Sequence, residues 1–418
     1  MRRTELLQEI RKMRFEEAYG VWTEGRLSQE EAALILGVTS RTFRRYINRY
    51  EEQGEEGLLD RRLTQASFRR APVDEVTAMT EKYMSRHRGW NVKHFYNWYQ
   101  RDGGRRSYTW VKNTLQSRGL VPKAAKKGAH RKRRERAPLP GMMLHQDGSN
   151  HEWVPGKKWD IIVTMDDATS EHYSMFFVPE EGTASSFQGV REVILQHGLF
   201  CSLYTDRGSH YWYTPEVGGR VSKTQLTQFG RAMSHLGIEM IPAYSPEARG
   251  RSERAFRTHQ DRLPKELAAH GITEMDDANR YLDQVYRQEF NREFMQPAPE
   301  EGSAFVPWTG EHLDDILCEK YERTVTSDNC VNFEGYALQI PADKYRCNYV
   351  KVKVHVHRYM DGSLAVFHGP KKLADYVDQE IGEMQKVEVP RQSNFRIPIM
   401  KVGSYPQPSP RLAQVRLR

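Results

Sequence analysis

The sequence predicts a multidomain chain: all-α modules at the N-terminus, a central α/β core with a mixed sheet, and a small β-barrel near the C-terminus. Three observations lead there. The 418 residues are the length of two or three domains, with 38% hydrophobic and 28% charged residues. That is enough apolar material to fill cores, and it excludes a mostly disordered chain. Helical periodicity dominates up to about residue 120, whereas strand patterns open the segment after Leu144. Charge divides at nearly the same place. Residues 1–137 hold 31 Lys and Arg against 17 Asp and Glu, while the remainder holds 32 against 38. A strongly basic front on an acidic remainder is the footprint of a region that binds a polyanion, and nucleic acid is the expected partner.

The N-terminal elements follow in order. Leu6, Ile10, Met13 and Val21 recur with a helical period. Ser28-Gln29-Glu30-Glu31 is a capping box that starts a second helix, which Gly37 ends. Thr39 or Ser40 then caps a basic helix, Arg41 to Ile47. Helix, glycine turn and basic helix form a helix-turn-helix pattern over 1–65. Phe43 and Ile47 should pack inward while Arg41, Thr42, Arg44 and Arg45 project toward a groove in DNA. Residues 73–120 predict a second, similar module with Trp90, Val92, Phe95, Trp98 and Tyr99 as its core. Gly103-Gly104 breaks it, and a helix carrying Arg105, Arg106 and Lys112 follows. The linker 121–140 contains Arg131, Arg133 and Arg134 in a run that repels itself unless it lies along phosphates.

The core, 141–300, opens with strands at 143–153, 159–166 and 172–179. A helix at 184–197 and a strand at 199–204 follow, then a helix at 222–236, a strand at 238–242 and a helix at 246–268. Residues 320–375 read as the barrel, with Val350, Val352, Val354 and Val356 alternating with polar residues and Asp361-Gly362 as a hairpin turn. The segment 384–418 reads as a flexible basic tail. No run of 18 apolar residues and no signal-peptide pattern is present, so a cytoplasmic protein without membrane contact is expected. Cys201, Cys318, Cys330 and Cys347 are too scattered for a disulfide framework.

Three acidic residues stand at ends or edges of the core. Asp147 lies in His145-Gln146-Asp147-Gly148-Ser149, on the first strand. Asp206 lies in Thr205-Asp206-Arg207-Gly208-Ser209-His210, where the fourth strand runs into a glycine turn. Glu253 lies in Ser245 to Arg254, on a helix capped by Ser245 with Pro246 first. Carboxylates at strand ends and on a facing helix can converge, and hard divalent cations want such oxygen ligands. Two ions about 4 Å apart activate an attacking hydroxyl and stabilise the leaving oxygen in phosphoryl transfer. Asp166-Asp167 reads as turn chemistry, and His145, His151 and His210 as structural histidines. His355 and His357 share a strand face, but without further ligands no metal is expected there.

The segments HQDGS, YTDRGSHY and SPEARGRSER resemble the DDE motif of the retroviral-integrase superfamily. The likeness is to bacterial insertion-sequence transposases of the ISNCY group and runs from about residue 20 to residue 370. It implies a ribonuclease H-like core in which Asp147, Asp206 and Glu253 are the catalytic, metal-binding carboxylates. It also implies two Mg²⁺ (or Mn²⁺) ions per active site. The implied reaction nicks double-stranded DNA at transposon terminal repeats, then joins the freed 3′-OH to target DNA in a homo-multimeric complex on the nucleoid. Arg249, Arg251 and Arg254 on the Glu253 helix are expected to contact the DNA backbone. Between Asp206 and Glu253 lie 46 residues, more than is usual in integrases, and Trp212–Lys223 reads as a local insertion.

Two other functions share these features: a non-catalytic DNA-binding regulator derived from a transposase, and a nuclease of the same fold. DNA binding should reside in residues 1–137, with each phosphate contact adding about 0.9 to the slope of log K against log salt. Arg44→Ala or Arg45→Ala should cost about 1–3 kcal/mol on cognate ends only, read by titration against random DNA. Equal binding of terminal and random DNA by the fragment 1–137 would contradict the assignment.

Overall fold

A computed structural model describes residues 3–59, 70–123, 135–216, 219–222, 224–244, 250–342 and 346–377. The chain forms two compact units. The first comprises the chain to Arg88 together with Tyr99–Pro122; the second comprises Gly89–Trp98 and the chain from Lys123 onward. The expected 73–120 module thus contributes to both.

The first unit is helical: α1 (Arg3–Thr23), α2 (Gln29–Ile35), α3 (Ser40–Gln53), α4 (Val73–Arg86), the end of α5 (Val92–Arg101) and α6 (Tyr108–Ser117). Ser28 caps α2 through a full capping box: its hydroxyl accepts the Glu31 N–H while Glu31 accepts the Ser28 N–H at 2.8 Å. Thr39, not Ser40, caps α3. Gly37 between them sits at φ +66, a conformation a side chain would strain. Phe43 and Ile47 are buried as expected, and pack with Ala32, Ala33, Phe15 and Ala18. The face of α1 differs from the periodicity reading. Phe15, Ala18, Tyr19 and Trp22 turn inward, while Met13 is 54% exposed. Aromatic rings at 15, 19 and 22 bury more surface than the aliphatic set, and they decide the orientation.

The second unit is built on a five-stranded sheet of order β3-β2-β1-β4-β5. Its strands are β1 (Leu144–Val154), β2 (Lys157–Asp166), β3 (His172–Val178), β4 (Ser202–Thr205) and β5 (Glu239–Pro242). β1, β2 and β3 form an antiparallel meander, and β4 and β5 add in parallel. The sheet is therefore mixed, as the sequence predicts. Helices cover both faces. On one, α7 (Thr183–His197) and α8 (Gln228–Leu236) pack through Phe187, Val190, Phe229 and Met233 onto Leu144 and Leu203. On the other, α9 (Ser252–Ala269), α10 (Met275–Tyr281) and α11 (Arg287–Phe294) pack through Phe256, Leu263, Leu267 and Phe290 onto Ile161, Val163, Met165 and Met175. The period-2 alternation of Ile161, Val163 and Met165 places these three on one face.

Several boundaries shift. Residues 199–201 lie outside β4, where Leu199 pairs with Val306 instead. Helix α9 begins at Ser252 and runs on through Pro264 to Ala269. Within the 212–223 segment Trp212 and Val221 are buried in the core, and Trp212 Nε1 donates to Thr205 Oγ1 at 2.9 Å.

No closed barrel forms among the described residues. The C-terminal region is a four-stranded antiparallel sheet, of order β11-β10-β9-β6, plus a β7-β8 hairpin. These strands are β6 (Glu319–Thr324), β7 (Cys330–Phe333), β8 (Tyr336–Gln339), β9 (Lys353–Arg358), β10 (Leu364–His368) and β11 (Lys371–Tyr376). β6 and β11 occupy opposite edges and do not pair. Asp361-Gly362 makes the β9–β10 turn as expected, but the valine alternation becomes a strand only from Lys353, since Lys351 adopts φ +63. The tail 384–418 lies outside the described residues.

The caps give a stability test. Thr39→Ala should cost about 1 kcal/mol, measured by urea unfolding followed by helix signal, and Ser40→Ala much less. Equal losses would contradict the assigned cap.

Candidate active site

Asp147 lies on β1, the central strand of the core sheet, and Asp206 directly follows β4, the strand beside it. β1 and β4 pair in parallel, Leu144 with Leu203 and His145 with Tyr204. Continued two residues further, this register sets Asp147 level with Asp206, the residue directly after β4. Asp147 is buried, at 6% exposure, and Asp206 half-buried. Asp206 Oδ1 accepts the Gly208 N–H at 2.8 Å, which shapes the turn. The Tyr211 hydroxyl is pushed well above its ordinary pKa, by burial first and then by the Glu181, Asp147 and Asp206 carboxylates. It donates to Gln146 Oε1 at 3.1 Å.

Side-chain alternation divides β1 between two faces. Leu144 and Gln146 face α7, where Gln146 Nε2 donates to the Ser186 carbonyl at 3.1 Å. His145, Asp147 and Ser149 face the other way, toward α9, where Gln260 Nε2 donates to Ser149 Oγ at 3.0 Å. The start of α9 is fixed by Arg251, which pairs with the buried Asp167 carboxylate and donates to the Glu135 carbonyl at 3.0 Å. Asp167 also accepts from His145 Nε2 and the Ala137 N–H, each at 2.7 Å. Burial would raise its pKa, but the hydrogen bonds from His145 and Ala137 and the Arg251 contact outweigh it and hold it far below the usual carboxylate range. So α9 runs alongside β1, tied at Arg251 near His145 and at Gln260 on Ser149. Glu253 lies between those ties and, seven residues before Gln260, on nearly the same stripe of the helix. It is exposed.

Other carboxylates on α9 and at the β2–β3 turn have partners of their own. Asp261 accepts from Asn91 and from Lys265 Nζ. Glu266 is buried and accepts from His94 at 2.6 Å, Trp98 Nε1 at 2.9 Å and Tyr281 at 3.0 Å. Asp166 accepts from Gly141 and Thr169, the turn chemistry expected of it, and burial raises its pKa. Asp167 does more than make a turn. Its role left no signal in the sequence beyond adjacency to Asp166, because its partners lie 22, 30 and 84 residues away.

Among the described residues no three His, Cys, Asp or Glu side chains are gathered closely enough to hold a metal ion. Asp147 and Asp206 supply the oxygen donors a hard divalent cation takes. A Cβ at Gly208 would stand 3.0 Å from Asp206 Oδ1. Those two residues fit such an ion; Glu253 is not drawn in beside them.

The expected DNA contacts fall into three groups. Arg41, Arg44 and Arg45 are exposed on α3, as are Arg105 before α6 and Arg254 on α9; Lys112 is half-buried on α6. The Thr42 hydroxyl is 2.9 Å from Thr39 Oγ1, inside the cap. Arg106 is held by Glu75, and Arg251 by Asp167, so both face protein partners. Arg131, Arg133, Arg134 and Arg249, together with Ser245 and Pro246, lie outside the described residues.

The helix-turn-helix domain family matches residues 21–64, the stretch containing α2 and α3. The chain is 28% identical over 357 residues to y4bF of Sinorhizobium fredii, named as a transposase, covering 82% of this chain and 76% of that protein. It is 24% identical over 378 residues to the transposase for insertion sequence IS1202 of Streptococcus pneumoniae, covering 82% of this chain and 81% of that one. The chain is related to bacterial transposases. Among solved structures, the HTLV-2 integrase catalytic core in complex with magnesium aligns at 17% identity and TM-score 0.28, over 36% of this chain and 90% of that one. A simian T-cell lymphotropic virus intasome aligns at 15% identity and TM-score 0.31, over 68% and 93%. The transposase likeness and the helix-turn-helix match imply DNA binding. No helix among the described residues is long and apolar enough to cross a membrane.

The Asp167 cluster yields a stability prediction. Asp167→Asn should lose about 3–5 kcal/mol at neutral pH, because Arg251 and His145 keep a buried site without its charge. A depressed pKa stabilises the fold above the unfolded value of about 3.9, and that contribution fades as pH falls below it. Urea midpoints of wild type and variant should therefore converge from pH 5 to pH 2. A gap independent of pH would contradict the account.

Proposed function

We propose that this transposase relative binds terminal inverted repeats through its N-terminal helices, nicks the ends and joins the 3′-OH to target DNA. Asp147, Asp206 and Glu253 are the proposed catalytic carboxylates. One observation supports the reading: β1 and β4 pair in parallel, Leu144 with Leu203 and His145 with Tyr204, a register that, if continued past β4, would set Asp147 level with Asp206. The placement of Glu253 between two ties of α9 to the β1 side supports it as the third.

Asp147 and Asp206 would hold Mg²⁺ (or Mn²⁺), proposed as two ions, with Glu253 closing the set from α9. Bound there, the ions would activate the attacking oxygen and stabilise the leaving one. The protein's part is positional. Gly208 orients the Asp206 carboxylate, β1 presents Asp147 toward α9, and Asp167 fixes through Arg251 where α9 begins. The exposed Arg41, Arg44 and Arg45 offer donors to base edges and phosphates. Protomers are proposed to assemble so that two ends are held in one complex.

The carboxylates separate this reading from a DNA-binding regulator, which needs none of them. Asp147→Asn and Asp206→Asn should abolish Mg²⁺-dependent nicking of end DNA and leave end binding intact. Glu253→Gln should be equally inactive, while Asp261→Asn retains strand transfer. Nicking that survives Asp147→Asn or Asp206→Asn would move the site elsewhere, and products without joined target DNA would favour the nuclease.

A further inference from the structure

Glu181 stands between β3 and α7, and its position is built from several sides. Its backbone N–H donates to Asp160 Oδ2 at 2.7 Å, and Asp160 Oδ1 accepts Asn150 Nδ2 at 2.7 Å. Its carboxylate lies over Gly148, the residue after Asp147, where a Cβ would collide with it. On its other side, Glu181 Oε1 is 3.4 Å from His210 Nε2. That nitrogen is buried and has no hydrogen-bond partner among the described residues, and the Glu181 carboxylate faces it.

His210 in turn touches the Asp206 turn. A Cβ at Gly208 would come within 2.9 Å of the His210 ring, so the glycine lets the imidazole lie against the turn that orients Asp206. Behind it the loop is already held: the His210 ring packs 4.0 Å from Tyr211, whose hydroxyl bonds Gln146, and Trp212 bonds Thr205. Glu181 faces the forward part of the loop, beside Asp206.

We propose that Glu181 and His210 form a positioning pair that sets how Asp206 is presented beside Asp147. The proposal deepens the reading of the site given above and rests on it. Neither residue is a metal ligand in this account. Glu181, anchored on β2 and seated on Gly148, acts on Asp206 through the imidazole and the Gly208 turn.

The test is calorimetric binding of Mn²⁺ to the full-length protein, with end nicking at varied Mg²⁺ as a second readout. Asp206→Asn should remove the binding; if it binds like wild type, the reading of the site fails. With that control in place, Glu181→Ala and His210→Ala should each weaken Mn²⁺ binding about 10-fold, the scale of an outer-shell partner. Both should raise the Mg²⁺ requirement for nicking and leave end binding unchanged. The double variant should lose no more than the worse single one, and Glu181→Gln, which keeps an oxygen toward His210, should recover part of the loss and serve if Glu181→Ala fails to fold. Wild-type Mn²⁺ affinity in both single variants, or losses that multiply in the double variant, would overturn the pair while leaving the site intact.

Discussion

The arrangement depends on the parallel pairing of β1 with β4 at the middle of the core sheet. β4 is four residues long, yet it fixes where the chain leaves the sheet and so where Asp206 stands. Its register is held by burial: Leu144 and Leu203 are paired and fully buried in the core beneath α7 and α8. A slip of one residue would carry Leu203 out of that core, because alternate residues face opposite sides. The apolar packing and the alignment of the carboxylates are therefore one constraint.

The second constraint is polar. Asp167 is fully buried at the β2–β3 turn and gathers the Ala137 N–H, His145 on β1 and Arg251 at the start of α9. A buried carboxylate persists only where its partners are well placed, and here they come from three separate parts of the chain. Together with Gln260 on Ser149, the cluster ties α9 to the face of β1 that carries Asp147.

Much of this is legible in the sequence because the signals are local. The Ser28 capping box, the Gly37 turn and the strand at 159–166 are each read within a few residues, and each forms, the strand starting two residues earlier. The aspartates are legible as motifs, and the strand order brings their positions together. What escaped depends on distant partners. Phe15 and Trp22 rather than Met13 define the inner face of α1, since the aromatic rings of α3 are there to receive them. Lys351 in a left-handed conformation cuts the valine alternation short, and β6 and β11 remain separate edges. Asp167 and Glu181 are ordinary acidic residues until the fold sets them against Arg251 and His210. Glycines next to the carboxylates were the available clue, because Gly148 and Gly208 leave the room that Glu181 and His210 occupy.

The central proposal is one cation site held by Asp147 and Asp206, with Glu253 joining them from α9 when the ion is bound. Affinity cleavage tests it most directly: Fe²⁺ replaces Mg²⁺, ascorbate and peroxide generate hydroxyl radicals at the bound ion, and the protein fragments are mapped. The account predicts cuts close to residues 147, 206 and 253, suppressed by excess Mg²⁺. Cuts clustered instead around 166–167 or 261–266, or fragments unaffected by Mg²⁺, would contradict it.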